Sequence, residues 1–235
     1  MIDSKSYDDW HVSYEGQDDT NSVWHQFVKQ NISVQLDLAA SRLLEIACGR
    51  GGLANHLSLL SDEIISIAAC DYSQSAIDFA KSTYDQGNSI ITWAVEDIQQ
   101  LSFPNDTFDT AISCETIEHV PDPQQAIFEL FRVLKPGGRL FLTCPNYFNL
   151  FGLWCVYRYA IGKPYTEGQP YVNYPIYPSI LKWIRKAGFK VEQKHTSNFV
   201  IPLRAHFHFY RDSLPKAISW LGFRTYFILT KPTEH

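Results

Sequence analysis

Residues 42–52 read R-L-L-E-I-A-C-G-R-G-G, an apolar run that leads directly into glycines. The run at 42–48 is typical of a buried strand, and Gly49, Gly51 and Gly52 predict a tight turn before a helix. Glycine suits such a turn because it has no Cβ, so a ligand can approach the backbone amides closely. This stretch therefore predicts a βα unit that ends in a ligand-binding turn.

Strand-like and helix-like patterns alternate along most of the remaining chain. This alternation predicts an α/β fold over residues 1–235, a single domain with a doubly wound, seven-stranded, mostly parallel sheet. Strands are expected at 42–48, 64–70, 90–95, 108–114, 139–144, 190–196 and 225–231. Helices are expected near 22–38, 52–60, 74–84, 123–134 and 178–187, with Ser73 and Pro178 as start signals and Gly188 as a stop.

The charge distribution excludes some partners. The chain carries 20 basic and 25 acidic side chains, a formal net charge of −5, and most of the acidic excess lies in the first 100 residues. This composition argues against nucleic acid as a partner, because neutralised phosphates supply most of the affinity for duplexes. The five cysteines lack C-x-x-C spacing, which indicates buried thiols in a reducing compartment. Together with a polar N-terminus and no stretch long enough to span a bilayer, this predicts a cytoplasmic protein.

Three acidic residues follow three successive predicted strands. Glu45, Asp71 and Asp97 lie at the ends of the first, second and third strands. A carboxylate beside a pyrophosphate would be repelled, whereas it would attract an ammonium group. The set therefore favours a ligand with an amine, a ribose and an adenine amino group but no phosphate, and S-adenosylmethionine is such a ligand.

A dinucleotide site is the alternative interpretation of the same turn. Ala47, Gly49 and Gly52 occupy the three glycine positions of the dinucleotide fingerprint, and Asp71 follows Gly49 by 22 residues, where a ribose-binding acid is expected. An NAD-dependent oxidoreductase is therefore a second hypothesis.

From about residue 40 to its C-terminus the chain resembles the class I S-adenosylmethionine-dependent methyltransferases. The first motif of that family, D/E-x-G-x-G-x-G, corresponds to Glu45, Ala47, Gly49 and Gly51, and it departs from the pattern only by the methyl group of Ala47. The later stretches F-D-T-A-I-S-C and L-K-P-G-G-R-L resemble the markers of the fourth and fifth strands of the family. The resemblance implies the Rossmann-like methyltransferase fold and a methyl-transfer reaction.

The resemblance also implies cofactor contacts beyond the glycine turn. Asp71 would bind the ribose, with Tyr72 beside the adenine. Asp97 would accept from the adenine amino group, and Ile98 would supply a backbone amide. Cys114, at the end of the fourth strand, completes the predicted cofactor-binding set.

The segment S-C-E-T-I-E-H-V-P at 113–121 is rich in groups that bind metals or protons. In a helix, Glu115, Glu118 and His119 would share one face, so they could converge on a divalent cation such as Mg²⁺ or Mn²⁺. Without a metal, His119 would be the general base and the two glutamates would orient it or the acceptor.

The same pattern resembles two metal-using branches of the family. These are the ubiquinone-pathway O-methyltransferases and the small-RNA 3′-terminal 2′-O-methyltransferases, and in the latter a downstream histidine joins the metal. His195, His206 or His208 could fill that role. The acidic composition favours a small, partly apolar acceptor over an RNA end. An N-methyltransferase acting on a small molecule or peptide and a non-catalytic binding subunit are the other hypotheses.

Two aromatic-rich stretches, 146–177 and 198–222, interrupt the alternation of strands and helices. Because both follow strands, we expect them to lie over the site as a lid for the acceptor, or else to pack against the core. The first stretch could also contact a membrane surface to collect a lipid-like acceptor. Residues 1–40 are expected to form an N-terminal helical cap, in which the aromatic residues of 7–27 close over the cofactor or pack as helices.

Overall fold

The central sheet has seven strands in the computed structural model, which describes residues 4–13, 21–85, 90–166, 168–204, 207–211 and 215–233. They are β1 (Arg42–Ile46), β2 (Ser66–Asp71), β3 (Ile91–Val95), β4 (Phe108–Cys114), β5 (Leu134–Pro145), β6 (Lys190–Ser197) and β9 (Arg224–Thr230). A separate antiparallel pair consists of β7 (Phe199–Arg204) and β8 (Phe207–Arg211). The seven strands predicted from the sequence match those of the sheet.

Seven α-helices lie within the described residues. They are α1 (Ser4–Ser13), α2 (Val23–Asn31), α3 (Gly52–Ser58), α4 (Gln74–Tyr84), α5 (Pro123–Val133), α6 (Leu150–Ala160) and α7 (Tyr177–Ala187). The predicted signals act as expected at two ends. Ser73 accepts a hydrogen bond from the N–H of Ala76 and so caps α4. Gly188 ends α7 in the left-handed conformation, with φ +102°.

The sheet order, β3-β2-β1-β4-β5-β9-β6, makes this a doubly wound fold. Strands β1 to β5 run parallel, and β9 is antiparallel to both of its neighbours. The chain moves outward from β1 to β3 and then returns to place β4 on the other side of β1. In open α/β sheets a ligand binds at this reversal, outside the carboxyl ends of the strands.

Apolar layers cover both faces of the sheet. In β1, Leu43 packs with residues of α2, α3 and α4 on one face, and Leu44 packs with residues of α5 and α7 on the other. Successive strand residues point to opposite faces, so a strand buried on both sides has a continuous apolar sequence. This explains the uninterrupted run that begins at residue 42.

The single helix predicted over 22–38 is wrong. Helix α2 ends at Asn31, and a π-helical turn follows at Val34–Leu38. The carboxylate of Asp37 accepts a hydrogen bond from the N–H of Ser33 at 2.7 Å and lies 2.6 Å from Nη1 of Arg139 in β5. The π-helical turn places Asp37 against the sheet, where it pairs with Arg139. A continuous helix over 22–38 would not bring Asp37 to this position.

The two aromatic-rich stretches contain secondary structure outside the seven-stranded sheet. Helix α6 lies in the first, and β7, β8 and a 3₁₀ turn (Lys216–Leu221) lie in the second. Aromatic side chains of the first stretch pack on one another, in a cluster that includes Tyr147, Phe151 and Trp154. No helix among the described residues is long and apolar enough to cross a bilayer.

Candidate active site

A cavity of about 690 Å³ opens at the carboxyl ends of β1, β2 and β4. The loops after these strands line it, and α1 and α2 border it from the N-terminal side. Every residue of the predicted cofactor set borders this cavity except Glu45 and Gly51, and so do all three predicted catalytic residues, Glu115, Glu118 and His119.

Glycine and alanine shape the loop after β1. Ala47, Gly49 and Gly51 all have positive φ, at +61°, +52° and +81°. A Cβ on Gly49 would meet no atom within 4 Å, whereas a Cβ on Gly51 would lie 2.5 Å from the Trp93 ring. The loop therefore needs glycine at 51 for packing, and glycine at 49 leaves its backbone open to a ligand.

Asp71 fixes this loop from the end of β2. Its Oδ2 accepts a hydrogen bond from the N–H of Gly49 at 2.8 Å, and its Oδ1 accepts one from the N–H of Ser73 at 3.0 Å. One carboxylate thus joins the glycine loop to the start of α4. Its position at the cavity wall fits the predicted contact with a ribose.

Asp97 and the residues beside it form the far wall of the cavity. Oδ1 of Asp97 accepts from the N–H of Gln99 at 2.8 Å, which holds the turn after β3. Tyr72, Ile98 and Cys114 also line the cavity. Burial raises the pKa of Cys114 well above its usual value, so the thiol stays protonated.

Glu45 lies beneath the loop and does not line the cavity. The side chain is buried, its Oε2 has no hydrogen-bond partner among the described residues, and the backbone of Ala54 hydrogen-bonds the carboxyl group. Burial raises its pKa to about 8, and the nearby Asp71 acts in the same direction. A buried acid with an unpartnered oxygen below the loop fits a cationic ligand group above it.

The predicted acceptor residues lie on the loop between β4 and α5. Residues Ile117–His119 form one 3₁₀ turn. Nδ1 of His119 lies 2.7 Å from the carbonyl oxygen of Tyr171, and its Nε2 lies 3.5 Å from Oε1 of Glu118. Since a carbonyl can only accept, Nδ1 carries a proton, and in the neutral ring Nε2 therefore keeps its lone pair.

The expected metal triad is not assembled, and the helical spacing behind it is wrong. Glu115 has φ +48°, so it is not part of a helix with Glu118 and His119. Its Oε2 instead accepts from Nη1 of Arg224 at 2.5 Å, and its Oε1 accepts from the hydroxyl of Thr143 at 3.0 Å. No group of three His, Cys, Asp or Glu residues within the described chain could hold a metal ion. These residues therefore do not fit the predicted Mg²⁺ or Mn²⁺ site.

The proposed fourth ligand is not brought to the site either. His195 lies in β6, with its ring 5.9 Å from that of Tyr226, and does not line the cavity. His206 lies outside the described residues, as does the side chain of His208.

Arg224 is a site residue that sequence analysis missed. It is the first residue of β9 and lines the cavity. Its guanidinium carbon lies 4.6 Å from the centre of the Trp24 ring, on which it stacks. No motif marks it, since its partner Glu115 is 109 residues away in the chain.

Helix α1 borders the cavity with aromatic side chains. Tyr7, Trp10 and His11 line it, and Nη2 of Arg50 donates to the carbonyl oxygen of His11 at 3.1 Å. Of the two aromatic stretches, Gln169 is the only described residue that lines the cavity.

Together, the doubly wound sheet, the open glycine loop and carboxylates at successive strand ends are the features of an S-adenosylmethionine-dependent methyltransferase. Comparison with known proteins supports this assignment. Residues 44–142 match the family model described as a methyltransferase domain.

Two curated relatives share the name ubiquinone biosynthesis O-methyltransferase. The protein from Xanthomonas euvesicatoria pv. vesicatoria (strain 85-10) is 30% identical over 164 residues, which cover 68% of this chain and 67% of that protein. The one from Coxiella burnetii (strain Dugway 5J108-111) is 34% identical over 126 residues, which cover 54% and 51%.

Solved structures share the fold at low identity. A chain from the complex between the Haloferax volcanii Trm112 methyltransferase activator and a methyltransferase superimposes with a TM-score of 0.73 at 16% identity, covering 100% of this chain and 99% of that chain. A SAM-dependent methyltransferase from Aquifex aeolicus gives 0.62 at 13% identity, covering 98% and 100%.

The chain belongs to the methyltransferase-domain family and is an S-adenosylmethionine-dependent methyltransferase. The NAD-dependent alternative and the non-catalytic alternative are therefore set aside. S-adenosylmethionine is the cofactor of this family, and the open loop at Gly49 beside Asp71 fits it.

Proposed function

We propose that the enzyme transfers a methyl group to an oxygen of a small, partly apolar acceptor, with His119 as the general base. The hydrogen bond from Nδ1 of His119 to the Tyr171 carbonyl carries this proposal, because it leaves Nε2 as a proton acceptor at the cavity. A hydroxyl must lose its proton to attack, and an imidazole is suited to take it near neutral pH. The names of the two curated relatives support oxygen as the acceptor atom.

We assign cofactor binding to the loops that follow β1, β2 and β3. Gly49, Asp71, Tyr72, Asp97 and Ile98 would hold S-adenosylmethionine, with Ala47 and Cys114 at the same wall. Glu45 and Gly51 would act from beneath, through charge and loop shape. When bound, the cofactor supplies an electrophilic methyl group on a sulfonium centre.

The chain's own residues then manage the proton and exclude water. Nε2 of His119 would take the proton of the acceptor hydroxyl while the methyl group passes from sulfur to that oxygen, with S-adenosylhomocysteine as the leaving group. Oε1 of Glu118, 3.5 Å from Nε2, stabilises the imidazolium that results. Tyr7 and Trp10 of α1 cover the cavity and limit the entry of water that would compete for the methyl group.

We assign the pair of Glu115 and Arg224 to the acceptor side of the cavity. The pair is internally neutralised, and Arg224 stacks on Trp24, so this wall presents an aromatic surface beside a paired charge. Such a wall suits a ring or an apolar group with few polar substituents.

An apolar acceptor also agrees with a peripheral membrane contact through α6. Leu153, Val156 and Tyr159 are each about two-thirds exposed or more, at 67%, 66% and 71%. The surrounding segment, residues 147–165, contains Arg158 and Lys163 and no acidic residue, although the whole chain is acidic. Exposed apolar groups flanked by cations are typical of segments that lie on anionic bilayers.

The test is a methyl-transfer screen with S-adenosylmethionine labelled in its methyl group. Acceptors are offered as matched sets, in which a phenol, a catechol, a carboxylic acid and an amine carry the same apolar group. Mass spectrometry then identifies the methylated atom. We expect O-methyl products, and His119→Gln should reduce turnover by about 10²-fold.

His195→Gln is the matched control. Because His195 does not line the cavity, this variant should turn over substrate at the wild-type rate. Transfer only to nitrogen, or an unchanged rate for His119→Gln, would contradict the proposal.

A further inference from the structure

The 3₁₀ turn that carries His119 is held by hydrogen-bond donors from distant parts of the chain. Asn173 supplies three of these bonds. Its Nδ2 donates to the carbonyl oxygens of Ile117 at 2.9 Å and Val120 at 2.8 Å, and its backbone N–H donates to that of Glu118 at 2.8 Å.

The remaining carbonyl of the turn is held from the N-terminal side. The hydroxyl of Tyr7 in α1 donates to the carbonyl oxygen of His119 at 2.8 Å. Burial, followed by the carboxylates of Glu118 and Asp71, raises the pKa of Tyr7, so its hydroxyl keeps its proton and remains a donor. Every carbonyl from 117 to 120 therefore accepts a hydrogen bond from Asn173 or from Tyr7.

A turn of three residues depends on such donors. Within the turn, the N–H of His119 donates to the carbonyl oxygen of Thr116 at 2.8 Å, and a turn this short has few such internal bonds. Ile117 and Glu118 are buried, so carbonyls left without donors would carry the cost of lost hydration. The shape of the turn is thus set from outside it.

The contacts from Asn173 and Tyr7 also determine how the His119 ring faces the cavity, because they set the position of the turn that carries it. Tyr171, two residues before Asn173, accepts the Nδ1 proton of His119. If the turn shifts, the ring moves relative to this fixed carbonyl, and both the tautomer and the direction of Nε2 change. Proton transfer is sensitive to such displacements, and a shift of 1 Å can cost about 10²-fold in rate.

Tyr7 also connects the turn to the cofactor side. Its ring meets that of Tyr72 edge-on at a centroid distance of 6.0 Å. The next residue, Asp8, accepts from the hydroxyl of Ser73 at 2.7 Å and from the N–H of Ser75 at 3.0 Å, which docks α1 on the start of α4. The contact with His119 therefore depends on the docking of α1 beside the cofactor loop.

We propose that Asn173 and Tyr7 are positioning residues for methyl transfer, which hold the 117–120 turn so that Nε2 of His119 faces the acceptor. Neither needs to touch the reacting atoms. Both lie outside residues 44–142, the part matched by the family model. The inference rests on the proposed role of His119 as the base.

The first readout needs no acceptor. Protein labelled with ¹⁵N-histidine reports the tautomer of His119 by NMR, and its signals are assigned by their loss in His119→Gln. We expect one tautomer with the proton on Nδ1 in the wild type and a mixture in Asn173→Ala. Asn173→Asp should perturb the signals further, because it replaces the two donors by an oxygen that faces two carbonyls. Asn31→Ala is the matched control, since Nδ2 of Asn31 donates to the carbonyl of Phe27 in α2, away from the turn.

The second readout is kinetic and uses an acceptor from the screen. Asn173→Ala and Tyr7→Phe should lower kcat by about 10-fold to 10²-fold, while the KM for S-adenosylmethionine and the Kd for S-adenosylhomocysteine stay within about twofold of wild type. Tyr7→Phe removes only one oxygen, so it tests the proposal even if Asn173→Ala does not fold.

The proposal is overturned if folded variants that bind S-adenosylhomocysteine keep the wild-type tautomer and the wild-type kcat. A normal rate in His119→Gln, with the tautomer still altered by Asn173→Ala, would instead refute His119 as the base and leave the positioning of its ring established.

Discussion

The loop after β1 offers a pair of substitutions whose effects should separate cleanly. Gly49 and Gly51 both have left-handed backbone, at φ +52° and +81°. A methyl group on Gly49 would project into open space, whereas one on Gly51 would lie 2.5 Å from Trp93 and 2.9 Å from the Cβ of Ala80. Gly49→Ala therefore tests the loop's ligand face, and Gly51→Ala tests its packing face.

The expected magnitudes follow from these surroundings. Placing alanine in the left-handed region costs about 1–2 kcal/mol, and this applies to both variants. Gly51→Ala adds overpacking, which costs about 1–3 kcal/mol more. For a chain of this size 1 kcal/mol shifts Tm by about 2–4 °C. Gly49→Ala should thus lower Tm by about 2–8 °C and Gly51→Ala by about 4–20 °C.

Thermal unfolding and calorimetric titration with S-adenosylhomocysteine measure the two effects separately. We expect Gly51→Ala to be the less stable variant and Gly49→Ala to show the larger loss of ligand affinity per degree of Tm lost, because its methyl group occupies the ligand's side of the loop. Equal losses of stability, or undiminished affinity in Gly49→Ala, would refute this description of the loop.

Three further perturbations have expected outcomes. The pKa of Glu45, raised by burial from 4.5 to about 8, means that the folded apoenzyme holds a proton which the unfolded chain releases. Stability should therefore fall as pH rises between these values, and Glu45→Gln should flatten that fall in thermal scans; an unchanged slope would contradict the assignment. The pair of Glu115 and Arg224 should show a coupling of about 0.5–3 kcal/mol in a double-mutant cycle of Glu115→Gln and Arg224→Met, and additive losses would argue against the ion pair. Leu153→Ser in α6 should reduce sedimentation with vesicles of phosphatidylglycerol, whereas Leu59→Ser, an exposed leucine after α3, should not; equal binding by both variants would argue against a contact through α6.

Local signals account for the parts of the molecule that the sequence predicted well. The strand at 42–46, its glycine loop and Asp71 follow one another within a single βαβ unit, so spacing and residue type are sufficient to place them. The cap at Ser73 and the stop at Gly188 depend on one or two neighbouring residues in the same way.

Long-range contacts explain what the sequence did not predict. Glu115 leaves the helical conformation where it pairs with Arg224, 109 residues further along the chain. Asn173 reaches Ile117 across 56 residues, and Tyr7 reaches His119 across 112. No motif links such partners, because the folded chain brings together residues that are far apart in the sequence.

Calorimetric titration of S-adenosylhomocysteine into the wild type, Asp71→Ala and His119→Ala tests the central claim most directly. The claim is that the cavity at the carboxyl ends of β1, β2 and β4 holds the cofactor at Asp71 and the acceptor at His119. A hydrogen bond to a carboxylate contributes about 1.5–3 kcal/mol, so the account predicts one site in the wild type, affinity at least about tenfold weaker in Asp71→Ala and near wild-type affinity in His119→Ala. Undiminished affinity in Asp71→Ala, or loss of binding in His119→Ala alone, would contradict it.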